Sequence, residues 1–192
     1  FLKTDGSGNL SFADASSDFV KVATSTLSSG TASVSLTGMD STYKNFKILA
    51  SDISLASSDN FYFRFINSSG DMTGSSYYGI MDGAYKPYNS SDAGLRASNY
   101  NTSNGRVSNF DMSTNATNSS AFEMYIPNPS NSATFPMAYG NVGNSGSNGT
   151  YMITNTFAFQ YTSAGAITGI KFYTASGGNI NTGSFQLFGI KA

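Results

Sequence analysis

The sequence predicts an all-β protein: an antiparallel jelly-roll-like β-sandwich with a short extended N-terminal lead-in. Segments that alternate apolar and polar residues recur along the chain. In residues 61–67, for example, Phe61, Phe63 and Phe65 would share one face of a strand. Turns rich in Gly, Asn and Ser separate these segments, as in sandwiches and barrels. No window repeats apolar residues at helical spacing for more than one turn.

The composition predicts a folded core beneath an uncharged polar surface. Ser, Thr and Asn make up 70 of the 192 residues, and charged residues only 11%. Disordered chains usually have few aromatics and a high net charge, whereas this chain has 15 Phe, 12 Tyr and a formal net charge of -1. These rings supply enough apolar area for a core. We therefore expect a connector segment at residues 1–15 and one β-sandwich domain over residues 16–192.

Ten segments carry the alternating pattern and are predicted to be strands: residues 19–24, 31–36, 45–50, 61–67, 107–112, 121–126, 134–139, 151–161, 167–173 and 184–191. Tight turns are expected at Asp82-Gly83, Asn104-Gly105 and Asn148-Gly149, because these pairs tolerate positive φ. Residues 176–179 (SGGN) predict a hairpin between the last two strands, and residues 141–148 a flexible surface loop.

The missing residue types exclude several kinds of site. The chain has no Cys, His or Trp, so a zinc site of thiols and imidazoles, a disulfide framework and a Ser-His nucleophile are all excluded. Ten basic residues in a nearly neutral chain do not predict a nucleic-acid partner. No apolar run approaches the roughly 20 residues that span a bilayer, so no membrane insertion is expected. No cofactor is predicted.

The acidic residues do not predict a metal or a catalytic centre. Residues 5–9 (DGSGN) begin like a calcium loop, but Leu10 stands where that loop needs Gly and Ser16 where it needs a bidentate Glu. Most of the ten Asp residues lie in turns, and Glu123 alternates with apolar neighbours, so it should face solvent or another subunit. A polysaccharide-cleaving enzyme would need two carboxylates about 5–9 Å apart. We expect a protein that is not an enzyme.

Residues 75–100 are the most unusual part of the chain, because they gather tyrosines with planar polar side chains. Tyr rings can stack on sugars, and Asp, Asn and Arg can bond hydroxyl groups, as in a shallow carbohydrate site or a protein-binding patch. The alternative is that these tyrosines lie at the edge of a sheet, where the ring is buried and the hydroxyl is exposed to solvent. The candidate residues of such a binding site are Tyr77, Tyr78, Asp82, Tyr85, Tyr88, Arg96, Asn99 and Tyr100.

Both ends of the chain carry recognisable motifs. The opening FLKTDGSGNLSF (residues 1–12) resembles a connector in tail-fibre and other virion-appendage proteins of tailed bacteriophages, especially those of marine and cyanobacterial hosts. The closing GIKFY (169–173) and GSFQLFGI (183–190) are similar to the end of the terminal β-domains of such proteins. Phe188 stands where those domains more usually have Tyr. Between the two ends, the likeness is one of composition and strand rhythm.

The resemblance implies a structural protein on the virion exterior or a tail appendage, with a jelly-roll-like sandwich that forms a homotrimer. One reading is a non-enzymatic fibre or tail-tip domain that binds a host-surface receptor, either a glycan or an outer-membrane component. The alternative is a head-fibre, capsid-decoration or tail-assembly protein that binds other virion proteins. The family supplies no fixed set of ligand-binding residues to carry over.

Overall fold

The computed structural model describes residues 2–12, 17–87, 91, 93–108, 110–115, 120–146 and 151–191. These residues form antiparallel strands and no helix, so the predicted all-β sandwich is confirmed. The strands are β1 Leu2–Thr4, β2 Leu10–Phe12, β3 Phe19–Leu27, β4 Ser33–Thr37, β5 Asn45–Leu55, β6 Phe61–Asn67, β7 Gly70–Asp71, β8 Tyr77–Pro87, β9 Ala93–Thr102, β10 Gly105–Arg106, β11 Ser120–Pro127, β12 Met137–Ser145, β13 Tyr151–Tyr161, β14 Gly169–Thr174 and β15 Ile180–Ile190.

Two sheets form the sandwich. The large sheet has the strand order β3-β15-β5-β11-β12-β13-β8-β9, and the small sheet has the order β10-β6-β14-β4, with β7 paired to β6. Each strand turns alternate side chains inward, as in β6, where Phe61, Phe63 and Phe65 are fully buried. The inner faces of the two sheets pack against each other and enclose the core.

Four phenylalanines from both sheets meet at the centre of the core. Phe61 and Phe172 of the small sheet stack with ring centroids 6.0 Å apart and planes 6° from parallel. Phe122 and Phe185 of the large sheet lie 5.2 and 5.7 Å from the Phe172 ring. Aromatic pairs at these separations add to the stabilisation from buried area, so this cluster joins the two sheets.

The tyrosine-rich segment is a pair of long strands, which the alternation did not predict. Residues 77–87 and 93–102 pair as β8 and β9 at the end of the large sheet. The expected turn at Asp82-Gly83 is therefore wrong, because both residues lie inside β8 and pair with β13 and β9. Glycine is needed at position 83 because a Cβ there would overlap the carbonyl oxygen of Thr154.

Three further local predictions are wrong. Residues 107–112 are not a strand; Val107 and Met112 are buried where the chain passes the end of β6. Asn104-Gly105 lacks positive φ and links strands of different sheets. Residues 141–145 belong to β12 rather than to a loop, and Asn148-Gly149 lies outside the described residues.

The SGGN segment is a turn, but it does not close a hairpin. Gly177 has a φ of 80° and the segment separates β14 from β15, as expected. However, β14 pairs with β4 and β6 in the small sheet, whereas β15 pairs with β3 and β5 in the large sheet. The segment is therefore an arch that carries the chain from one sheet to the other.

The N-terminal residues form a small hairpin of β1 and β2. In its turn, the Asp5 carboxylate accepts hydrogen bonds from the backbone N–H groups of Ser7 (2.8 Å) and Asn9 (3.2 Å) and from the Asn9 side chain (2.7 Å). The bond from the Asn9 side chain is the main reason why the pKa of Asp5 is lowered. The DGSGN motif is therefore an exposed turn organised by its own carboxylate.

Gly140 of β12 provides a direct test of how closely the central strands pack. A Cβ at this position would overlap the carbonyl oxygen of Glu123 on β11 and lie 2.9 Å from the Phe157 ring. Gly140→Ala should therefore lower the free energy of unfolding by about 1–3 kcal/mol, measured by chemical denaturation. Gly143→Ala on the same strand is the control, because a Cβ there meets nothing within 4 Å. Equal stability of the two variants would contradict this packing.

Candidate functional site

The outward face of the large sheet exposes an unusual number of large apolar side chains. Side chains on the solvent side of a sheet are commonly polar. Here Phe19, Leu49, Ile80, Met137, Tyr139 and Met152 all point outward and are 39–49% exposed. We call this surface, the outward side chains of β3, β5, β8, β11, β12, β13 and β15, the grooved face.

Two adjoining grooves cross the middle of this face. One has a volume of about 570 Å³, and its lining includes Leu49, Glu123 and Asn141. The other, of about 600 Å³, lies towards β8, and its lining includes Asp82 and again Asn141. Each volume is in the range of small-ligand sites. The grooves are shallow and open, which suits an extended ligand lying across the strands.

Two stacked tyrosines lie beside the second groove. Tyr125 and Tyr139 are directly opposite each other on β11 and β12, with ring centroids 5.6 Å apart and planes 17° from parallel. Lys47, which pairs with Tyr125 from β5, places its Nζ 4.8 Å from the centre of that ring. The sheet register therefore builds a row of one cation and two rings across three strands.

Glu123 and Asn141 pair with each other two residues along β11 and β12 from the two tyrosines. Lys47 Nζ lies 2.8 Å from Glu123 Oε2, and the Asn141 amide donates a 3.2 Å hydrogen bond to Glu123 Oε1. The hydrogen bond from Lys47 is the main cause that lowers the pKa of Glu123, and the same bond raises the pKa of Lys47. Glu123 is thus an ionised carboxylate that accepts hydrogen bonds, and it faces outward as its alternation indicated.

Four of the eight residues singled out from the sequence lie at the outer edge of this face. Asp82 and Arg96 are paired opposite each other on β8 and β9 and form an exposed ion pair of 3.4 Å. Tyr78 packs edge-on against the 72%-exposed Tyr100, with ring centroids 4.7 Å apart. A hydrogen bond with Tyr100 raises the pKa of Tyr78. Of these four, Asp82 reaches the grooves.

Three other residues of the predicted set lie away from the grooved face. Tyr77 is fully buried and is a core residue; its hydroxyl accepts from the Phe65 N–H (2.8 Å) and donates to the Met72 carbonyl (3.1 Å). Tyr85 is half-buried and stacks on Phe110 at 5.6 Å. Asn99 is half-buried opposite Gly79. The eighth residue, Tyr88, lies outside the described residues.

Sequence reasoning missed the centre of the grooved face. Lys47, Tyr125, Tyr139 and Asn141 were not among the candidate residues, although the first three lie in segments that were predicted to be strands. A usable signal was present: in residues 45–50 and 121–126 the outward positions carry Lys, Leu, Glu and Tyr rather than the Ser and Thr that dominate the chain.

The described residues contain no group of three or more acidic side chains placed to hold a metal ion. The same part of the chain has no helix that is long and apolar enough to span a bilayer. A comparison with protein-family models finds none that matches this chain, and a comparison with curated proteins finds no significant match.

Proposed function

We propose that this chain is a non-enzymatic fibre or tail-tip domain of a phage virion, and that its grooved face binds a glycan or an outer-membrane component of the host. The observation that carries the proposal is the stacked Tyr125–Tyr139 pair beside two open grooves. The end motifs that resemble phage appendage proteins supply the biological setting, on the exterior of the virion.

The chemistry of the grooved face suits a sugar. Exposed tyrosine rings offer flat apolar surfaces with a polar tip, and the C–H faces of a pyranose can lie against them. Glu123, Asn141 and Asp82 add acceptors and a donor for hydroxyl groups along the same grooves. Such contacts are individually weak, so single-site binding should be weak as well.

A homotrimer would compensate for weak binding at each site. Three copies would present three grooved faces to a repetitive cell surface, and linked sites can gain a factor of about 10² or more in avidity. Closed symmetry would also shield the outer edges of β3 and β9, which have no strand partner among the described residues and so offer unpaired backbone groups.

The second candidate is a structural role, in which the apolar end of the grooved face packs against another virion protein. Its support is a small cavity of about 190 Å³ between Phe19, Lys47, Leu49 and Phe188. The Phe19 and Phe188 rings meet edge-on at 6.5 Å, and Phe19 is 45% exposed. Exposed apolar clusters of this kind often mark protein contacts.

The test is binding of the purified chain to an array of bacterial surface glycans and to susceptible cells. We expect Tyr139→Ala to weaken binding about 2- to 10-fold per site, because it removes one of the stacked rings. Tyr139→Phe should retain most of the binding, since the ring remains.

Phe135→Ala is the matched control, because Phe135 is 51% exposed but lies in the loop before β12. Failure to bind any glycan or susceptible cell would contradict the receptor proposal. Binding to purified virion proteins that depends on Phe19 and Phe188 would favour the structural role instead.

A further inference from the structure

The outward face of the small sheet carries an alternating row of arginines and tyrosines. The Arg106 guanidinium lies 5.4 Å from the centre of the Tyr62 ring, which meets Tyr173 edge-on at 6.0 Å. The Arg64 guanidinium lies 4.9 Å from the centre of the Tyr173 ring. Lys171 is paired opposite Arg64 on β14. We call these five residues the basic face.

The small sheet carries a net positive charge, whereas the chain as a whole has a slightly negative net charge. The strands of the small sheet contain three basic residues, Arg64, Arg106 and Lys171, and one acidic residue, Asp71, which is a charge of 3 − 1 = +2. The whole chain has a net charge of -1. Asp71 is engaged by Lys171 at 2.8 Å, and none of the ion pairs among the described residues involves Arg64 or Arg106.

Both guanidinium groups are held in place while keeping donors free. Arg64 Nε donates to the Ser103 carbonyl at 2.9 Å and Nη2 donates to the Ser103 hydroxyl at 3.5 Å, which leaves Nη1 without a partner among the described residues. Arg106 Nε is buried and has no hydrogen-bond partner among the described residues. Contact with a ring holds a guanidinium in place without using its N–H groups.

We propose that the basic face binds an anionic sugar, one that carries a carboxylate or a phosphate group. A guanidinium fork matches both groups through paired hydrogen bonds, and the Tyr62 and Tyr173 rings offer apolar surface for the sugar beside the charge. Binding at this face does not depend on the grooved face. Its biological use, contact with a charged host polysaccharide, rests on the proposed function.

The chain has three arginines, Arg64, Arg96 and Arg106, so their side-chain Nε–H signals can be followed individually by NMR. The probes are a galacturonate trisaccharide, a phosphorylated mannose oligosaccharide of similar length and a neutral galactose trisaccharide. We expect the first two to shift the Arg64 and Arg106 signals and the neutral sugar to shift neither. Arg96, which lies on the large sheet and is paired with Asp82, reports separately on the edge of the grooved face.

Arg106→Gln should weaken binding of the acidic sugars about tenfold or more, and added salt should weaken binding further. Lys191→Gln, an exposed residue after β15, removes the same charge and should leave the affinity unchanged. If Arg106→Gln fails to fold, the signals of the unmodified chain still decide the question. The relative response to the two acidic probes identifies the preferred anionic group.

Two results would overturn the proposal: no shift of the Arg64 and Arg106 signals with either acidic probe at millimolar concentration, or equal shifts of these signals with the neutral sugar. The Arg64 and Arg106 signals report on the small sheet, so a sugar bound only at the grooved face should not shift them. A negative glycan array for the grooved face and a negative titration of the basic face are therefore separate outcomes.

Discussion

Phe172→Ala is expected to lower the free energy of unfolding by about 3–5 kcal/mol, the usual cost of removing a fully buried phenylalanine. Phe172 is 0% exposed and contacts three other rings, Phe61, Phe122 and Phe185, two of which belong to the opposite sheet. The cavity left by alanine would lie between the sheets, where the strands are held by their own pairing and cannot close over it.

Chemical denaturation of the unmodified chain, Phe172→Ala and Phe135→Ala measures this effect. Phe135 is 51% exposed, so the same truncation there should change stability by less than about 1 kcal/mol. Similar losses in both variants would mean that the rings do not hold the two sheets together. Phe172→Leu should recover part of the loss, because it refills most of the volume.

Stability is expected to fall steeply above pH 10, chiefly because of Tyr77. Burial raises the pKa of Tyr77 well above its ordinary value near 10, despite the hydrogen bond from the Phe65 N–H, which acts in the opposite direction. The unfolded chain therefore loses this proton first as the pH rises. Below pH 10 the contribution is fully present; above it, stability falls by about 1.4 kcal/mol per pH unit for one such group.

The measurement is the free energy of unfolding between pH 8 and 12 for the unmodified chain and Tyr77→Phe. At neutral pH the variant should be less stable by about 1–3 kcal/mol, because the buried Phe65 N–H loses its acceptor. Above pH 10 its slope should be shallower by about 1.4 kcal/mol per unit. Burial also raises the pKa of Tyr173, so some alkaline loss should persist in the variant. Identical slopes would contradict the assignment to Tyr77.

The alternation of apolar and polar residues was enough to predict strands whose inward positions carry large apolar residues. Residues 61–67 and 151–161 are strands with those bounds. The β8–β9 pair could not be recognised in this way, because its inward positions include Gly79 and Gly83. A Cβ at Gly79 would overlap the Phe159 ring of β13, and that contact becomes apparent only once the order of the strands in the sheet is known.

The same reason explains why the candidate site was only partly predicted. Alternation separates Tyr77 from Tyr78 but cannot say which of the two faces the core until the strand has a register. Lys47, Tyr125 and Tyr139 are distant in sequence, and they become neighbours through the pairing of β5 with β11 and of β11 with β12. Long-range strand order, rather than local propensity, determines which surface residues meet.

The position of β15 between β3 and β5 has a consequence for how the protein is made. In the folded sheet β15 lies between β3 and β5 and forms backbone hydrogen bonds with both. Neither strand can therefore gain this partner until residues 180–190 have left the ribosome. At about 5–20 residues per second, the nascent chain waits many seconds with two unpaired edges. A polypeptide that ends before Ile180 should therefore be prone to aggregation, because β3 and β5 would keep these edges unpaired.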